Sequence, residues 1–160
     1  MQNDNLKSYL HLHVIVFIWG FTAILGKLIS LEALDLVWYR MLFASVIMTF
    51  VVLFNKEKIK VPFNVLIGFI VSGIIIAAHW LTFYQAIKVS NVSITLACLS
   101  TGAFFASILE PIFYKRRVIW YELLFGIIVV VGLGIIFNVE TKFKTGIYLA
   151  VTSAFLSALF

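Results

Sequence analysis

The sequence has little charge, little proline and almost no cysteine. Charged residues make up 12% of its 160 residues and hydrophobic residues 63%, whereas soluble domains average about 25% and roughly 45–50%. A soluble domain of this length has too small an interior to hide so much apolar surface. The composition therefore excludes an ordinary soluble protein and predicts that lipid covers part of the chain.

The residues that build common catalytic and metal sites are also scarce. Cys98 is the one cysteine, so an intramolecular disulfide is excluded. The histidines are scattered, and the sequence has no glycine-rich phosphate loop, HExxH, GxSxG or CxxC motif. We therefore expect no enzyme activity, no cofactor and no metal. The net charge of +5 comes from cations in loops, which favours a role in membrane orientation over nucleic-acid binding.

Long apolar runs are the dominant positive feature. Each is close to the roughly 20 helical residues that cross a hydrocarbon core. Inside lipid only helices and closed barrels satisfy the backbone, and barrel strands are about 10 residues long with strict alternation, which these runs lack. The sequence thus predicts an all-α, polytopic membrane bundle with five full transmembrane helices, named spans 1 to 5. They cover residues 12–29, 37–54, 63–87, 92–114 and 119–137.

Lysine and arginine in the loops predict a cytoplasmic N-terminus, because cytoplasmic loops carry an excess of these residues. With that orientation seven cations lie inside and three outside. Lys27 and Arg40 lie within helix ends, and counting them outside makes the comparison seven against five. The inside set is Lys7, Lys56, Lys58, Lys60, Lys115, Arg116 and Arg117, and the outside set is Lys88, Lys142 and Lys144.

Two spans carry polar side chains in a helical pattern. In span 4, Ser93, Ser100 and Ser107 recur at intervals of nearly two turns and so share one face. That face is either a packing seam between helices or the wall of a polar cavity. In span 3, His79 and Thr82 share one sector. The histidine is either a cavity residue able to exchange protons or a neutral side chain bonded to a neighbouring helix.

Lys27 and Arg40 flank the first external turn. Three interpretations stay open for them: snorkelling to the interface, pairing with Glu32 or Asp35, or lining an external mouth that attracts anions.

The order of short motifs resembles one transporter family. Trp19-Gly20-Phe21 followed by Lys27, then Arg40 at the start of span 2, resembles the opening of EamA-type members of the drug/metabolite transporter superfamily. The segment 84–90, YQAIKVS, is similar to that family's close of span 3. The glycines at 126 and 132 and the segment from Gly146 are similar to its fifth and sixth helices. The resemblance covers nearly the whole chain.

The resemblance implies ten helices in two five-helix halves of inverted topology, with a central cavity and alternating access. On that pattern residues 1–137 are the first repeat, and residues 138–160 are a loop and the start of the second. Span 6 stops at Phe160, so we expect this polypeptide to be part of a longer protein whose second repeat is its partner. The bilayer and a small-molecule substrate are the other partners expected.

The resemblance further implies a secondary transporter that exports small metabolites or amino-acid-like solutes across a bacterial plasma membrane. The alternative is a non-transporting accessory membrane subunit. The residues expected at the substrate cavity are Trp19, Thr22, His79, Thr82, Ser100 and Ser107, with Lys27 and Arg40 as candidate charges at the external mouth.

A reporter placed in the loop at 55–60 tests the orientation. Because the N-terminus is predicted to be cytoplasmic, green fluorescent protein inserted there should fluoresce and alkaline phosphatase inserted there should be inactive. An active phosphatase at this loop would overturn the predicted orientation.

Overall fold

Helix forms almost everywhere in the residues described by the structure, a computed structural model that covers 2–56, 60–139 and 141–160. Lys58 of the basic loop lies outside these ranges. The helices are α1 (Gln2–Leu28), α2 (Ala33–Phe54), α3 (Phe63–Val89), α4 (Val92–Leu99), α5 (Gly102–Tyr114), α6 (Trp120–Val139) and α7 (Lys144–Leu159), with one 3₁₀ turn at Thr141–Phe143. The described residues contain no strand.

Five helical segments of the described chain are long and apolar enough to span a membrane. Each satisfies its backbone polar groups internally, as lipid requires. The predicted all-α membrane bundle with five spans is confirmed. The helix of span 1 begins earlier than its apolar run, because the polar residues before that run also adopt helix. The segments are Leu6–Leu28, Ala33–Phe54, Phe63–Val89, Val92–Tyr114 and Trp120–Asn138.

The fourth span is divided where a serine and a threonine follow each other. Ser100 Oγ donates to the carbonyl of Ala97 at 2.6 Å. Thr101 Oγ1 donates to the carbonyl of Cys98 at 2.7 Å, and the backbone N–H of Thr101 donates to the same carbonyl at 3.1 Å. Hydroxyls that bond back to their own helix, together with a locally tighter turn, bend a helix. The sequence predicted an unbroken span here, so the division is a correction.

This division also separates the three serines of the predicted stripe. Ser93 and Ser100 are exposed, whereas Ser107 is buried on α5. The side chains that α4 buries are instead those of its other face, including Thr95 and Cys98. The three serines therefore differ in exposure, and their common face stays a prediction.

Helices α1 and α3 approach closely at a glycine. A Cβ atom added to Gly26 would lie 2.5 Å from Cε1 of Tyr84, so any larger residue would displace the tyrosine ring. Small residues commonly permit such approaches between membrane helices. The contact places the buried Tyr84 side chain between α1 and α2.

Two lysines then connect the neighbouring ends of α1 and α3. Lys27 Nζ donates to the carbonyl of Ile87 at 3.0 Å and to that of Ser90 at 3.2 Å. Lys88 Nζ donates in return to the carbonyl of Ile29. The last carbonyls of a helix have no partner within it. Each lysine therefore caps the helix opposite its own, where its positive charge also suits the helix dipole.

Helix α7 packs chiefly against α3 and also contacts α4 and α5. Ala86 on α3 and Ala150 and Ala154 on α7 are fully buried. A Cβ atom on Gly146 would lie 2.5 Å from Cβ of Ser90. Small side chains thus let α7 lie against the bundle. The boundary between residues 1–137 and 138–160 remains a prediction about repeats.

Candidate functional site

The candidate functional site is a cavity of about 590 Å³ between α1, α2, α3, α4 and α7. Small-molecule sites usually measure about 300–1,000 Å³. His79 stands ten residues before the last residue of α3, about 15 Å along the helix, so the cavity reaches well inside a span. It is lined by Trp19, Gly20, Thr22, Ala23, Arg40, Ile76, His79, Trp80, Phe83, Leu96, Leu99, Ser157 and Phe160.

His79 is buried and connects α3 with α7. Its Nδ1 lies 2.9 Å from the carbonyl oxygen of Ser153. A carbonyl can only accept, so Nδ1 carries the proton in this bond. Ser153 Oγ lies 2.9 Å from the same nitrogen and donates to the carbonyl of His79 at 3.1 Å. The histidine is therefore both a cavity residue and a bond to a neighbouring helix, which combines the two interpretations left open by the sequence.

Arg40 contributes a positive charge to the cavity from α2. It lies seven residues beyond the first residue of α2, about 10 Å along the helix. Arg40 Nη1 donates to the hydroxyl of Tyr84 at 2.6 Å. Its guanidinium carbon lies 3.6 Å from the ring centre of Trp80, in cation–π geometry. A ring face and a neutral hydroxyl, rather than Glu32 or Asp35, thus hold the cation.

A second cavity of about 350 Å³ lies on the side of the turn between α1 and α2 and shares Thr22 and Arg40 with the first. Ile29 and Leu31, at that turn, belong to its lining. The two shared residues therefore stand at the boundary between an outer space near the helix ends and the deeper cavity.

A third cavity of about 410 Å³ lies between α5 and α6, next to a group of charges. Arg116 Nη2 lies 2.8 Å from Oε2 of Glu110 and 3.0 Å from Oε2 of Glu122. The hydrogen bond to Glu122 is the main reason that the pKa of Arg116 is raised above its usual value. Arg116 thus connects α5 with α6 outside the spans.

The structure brings four of the sequence-predicted residues together. Trp19, Thr22, His79 and Arg40 all line the 590 Å³ cavity. Trp19 stands at its edge, since 71% of its surface is exposed, whereas only 6% of His79 is. That these side chains contact a solute stays a prediction.

The other predicted residues lie elsewhere. Thr82, Ser100 and Ser107 each donate a hydroxyl hydrogen to a carbonyl three or four residues earlier in the chain. None of the three lines the 590 Å³ cavity, and Ser107 lines the cavity between α5 and α6 instead. Lys27 lines none of the three cavities described, because its amine caps α3.

The sequence reasoning missed most of the aromatic wall. Ile76, His79, Trp80 and Phe83 occupy positions i, i+3, i+4 and i+7 of α3, a spacing that places them on one face. His79 marked this face, and extending its helical period by one turn in each direction would have found the others. The contribution of Ser157 from α7 had no such signal, because it depends on how distant helices pack.

The described residues contain no group of three or more His, Cys, Asp or Glu residues able to hold a metal ion. Five apolar spans, of which the first four border a cavity with few polar groups, define a multi-pass helical membrane protein with a small-molecule-sized site. The model of the EamA-like transporter family matches residues 6–138, and the chain belongs to this family. It is thus a membrane transporter of the drug/metabolite superfamily, a family of transporters rather than enzymes. Searches among curated proteins and among solved structures found no match.

Replacing Lys27 with methionine tests the lysine caps. The variant keeps the aliphatic length but leaves the carbonyls of Ile87 and Ser90 without this donor. We expect its free energy of unfolding in detergent micelles to fall by about 1–3 kcal/mol. Lys142→Met, at an exposed position in the 3₁₀ turn, is the control and should change it little. Equal stability of the two variants would contradict a capping role for Lys27.

Proposed function

We propose that the protein is a secondary transporter that exports small metabolites or amino-acid-like solutes across a bacterial plasma membrane by alternating access. The observation that carries the proposal is the 590 Å³ cavity, which reaches into the bundle and presents polar groups there. Membership of a transporter family supports the same reading. The cavity has the size of a small metabolite and lies where a membrane would otherwise exclude one.

The chemistry offered by the cavity is hydrogen bonding and shape rather than bond breaking. Thr22 and Ser157 supply hydroxyls, and Arg40 supplies donors that have a fixed direction. Trp80 and Phe83 supply flat apolar walls. A solute with a polar end and an apolar body would find complementary surfaces for both, which supports binding of such a solute in the cavity.

We propose that the partner of the first five spans is a second five-helix repeat, of which α7 is the first helix. In transporters built from inverted repeats the substrate binds where the repeats meet. Ser157 of α7 and Phe160, which follows α7, contribute to the cavity, and Ser153 bonds to His79 across the same contact. The position of the cavity between α7 and the preceding helices supports this arrangement.

An N-terminus in the cytoplasm is part of the proposal. It places the lysine-capped ends of α1 and α3 outside and the Arg116 ion pairs inside, in keeping with the excess of Lys and Arg in the loops of that side. The reporter in the loop at 55–60 tests this part separately. The alternative of a non-transporting accessory subunit makes a different prediction, namely that no solute moves.

A pair of glycine substitutions tests whether solutes pass through the cavity. Gly20 lines the cavity and Gly68 of α3 does not, yet a Cβ atom at either would meet nothing within 4 Å. Gly20→Phe should therefore place a ring in the cavity, while Gly68→Phe adds the same ring elsewhere in a span. We expect Gly20→Phe to slow solute efflux by about tenfold or more, because the ring takes space that a bound solute needs, and a loss of about 1.4 kcal/mol of binding free energy is tenfold in affinity.

The measurement uses proteoliposomes containing the protein expressed from its complete gene. They are loaded with a mixture of common amino acids and short organic acids, and efflux is followed by mass spectrometry. The transporter proposal expects faster efflux of at least one solute than from protein-free liposomes, with loss only in Gly20→Phe. No efflux of any solute would favour the accessory subunit, and equal efflux by the two variants would exclude the cavity as the route.

A further inference from the structure

Arg40 is a membrane-embedded cation that has no carboxylate partner among the residues that the structure describes. The structure gives it one hydrogen bond, to the hydroxyl of Tyr84, and one ring contact, with Trp80. The ion pairs found among the described residues belong to Arg116, and Arg40 has no other contact of this kind. A guanidinium carries five N–H donors. Most of the donors of Arg40 therefore have no protein acceptor.

The position of Arg40 indicates what kind of group its remaining N–H donors could bind. Charged side chains within spans are costly and usually face a water-filled space or a partner. Arg40 faces the 590 Å³ cavity and the outer 350 Å³ cavity at once. No carboxylate lines either cavity among the described residues. Both spaces are thus electropositive where they meet, and a solute moving between them would pass the guanidinium.

The surroundings of Arg40 fix its direction. Tyr84 is buried against Gly26, where a Cβ atom would collide with its ring, so its hydroxyl is held in place. Trp80 covers one face of the guanidinium plane. The edge of that plane remains for a ligand, and a planar fork of N–H groups matches the two oxygens of a carboxylate. Trp80 and Phe83 lie beside it as an apolar wall.

We propose that Arg40 is the residue that binds the carboxylate of the transported solute, and that the substrates are carboxylates carrying a ring or another apolar body. This inference rests on the proposed function, because it assigns the substrate class of the same cavity. The carboxylate supplies the negative charge that the described lining of the two cavities does not, and the apolar body lies against Trp80 and Phe83. Neutral amides of the same shape lack that charge and bind more weakly.

Matched carboxylates and amides test the assignment by equilibrium dialysis against the purified full-length protein. The probes are benzoate with benzamide, phenylacetate with phenylacetamide, and L-phenylalanine with L-phenylalaninamide. We expect at least one carboxylate to bind about tenfold or more tightly than its amide, as bonds to charged groups predict. Arg40→Gln should abolish that preference, and Arg40→Lys should retain part of it. The control Arg117→Gln, at an exposed position outside the cavities, should keep it whole.

A measurement on the protein without substitutions does not depend on whether the variants fold. Phenylglyoxal reacts with arginine, and peptide mass spectrometry reports the extent at each position. The preferred carboxylate should slow modification of Arg40 and leave that of Arg117 unchanged. Equal protection of both, absence of protection, or no carboxylate preferred over its amide would each overturn the assignment.

Flux separates this inference from the function on which it rests. Carboxylate efflux from proteoliposomes that is lost in Arg40→Gln supports both. Efflux of the amides without preference for carboxylates retains transport and overturns the role of Arg40. If carboxylates bind more tightly than amides and protect Arg40 from phenylglyoxal, but no solute leaves the proteoliposomes, Arg40 is a binding residue and transport is contradicted.

Discussion

The close contact of Gly26 with Tyr84 is the constraint on which the rest of the site depends. Without a side chain at Gly26, α1 leaves room for the ring of Tyr84, which extends from α3 between α1 and α2. The hydroxyl then reaches Arg40 on α2, and Lys27, one residue further along α1, reaches the carbonyls at the end of α3. The absence of a side chain at Gly26 thus permits the lysine cap on α3 and the bond between the Tyr84 hydroxyl and Arg40. These interactions join the first three spans, where lipid offers polar groups no alternative partner.

The cavity forms where α4 and α7 pack against α1, α2 and α3. The fourth span bends at Ser100 and Thr101, where hydroxyls bond back to the helix, and α7 packs against α3 through small residues. His79 closes the contact by bonding to Ser153. The cavity is therefore bounded both by the first spans and by the helix that the ten-helix pattern assigns to a second repeat. If α7 begins a second repeat, as we propose, a site formed in this way would change shape when the repeats move, which is the property that alternating access requires.

Much of the fold was predictable, because the bilayer acts as a uniform solvent and selects apolar runs by length. All five spans were found in this way. The site was less predictable, because periodicity gives the face of a helix but not its neighbour. His79 and Thr22 line the cavity, whereas Thr82 and Ser100 bond to their own helices. Three interpretations were open for Lys27, and in the structure its amine caps α3. The Ile87 carbonyl is 60 positions from Lys27 in the sequence. Their hydrogen bond depends on tertiary packing, which no local sequence pattern contains.

The central claim is that this cavity gives solutes access to the interior of the spans, and the reactivity of matched cysteines tests it most directly. In a Cys98→Ala background, Thr22→Cys places a thiol where the two cavities meet, and Thr49→Cys places one on the exposed surface of α2 at a comparable distance from a helix end. A membrane-impermeant methanethiosulfonate that carries a sulfonate should modify Thr22→Cys readily and Thr49→Cys hardly at all. Equal and slow modification of both thiols would contradict the claim.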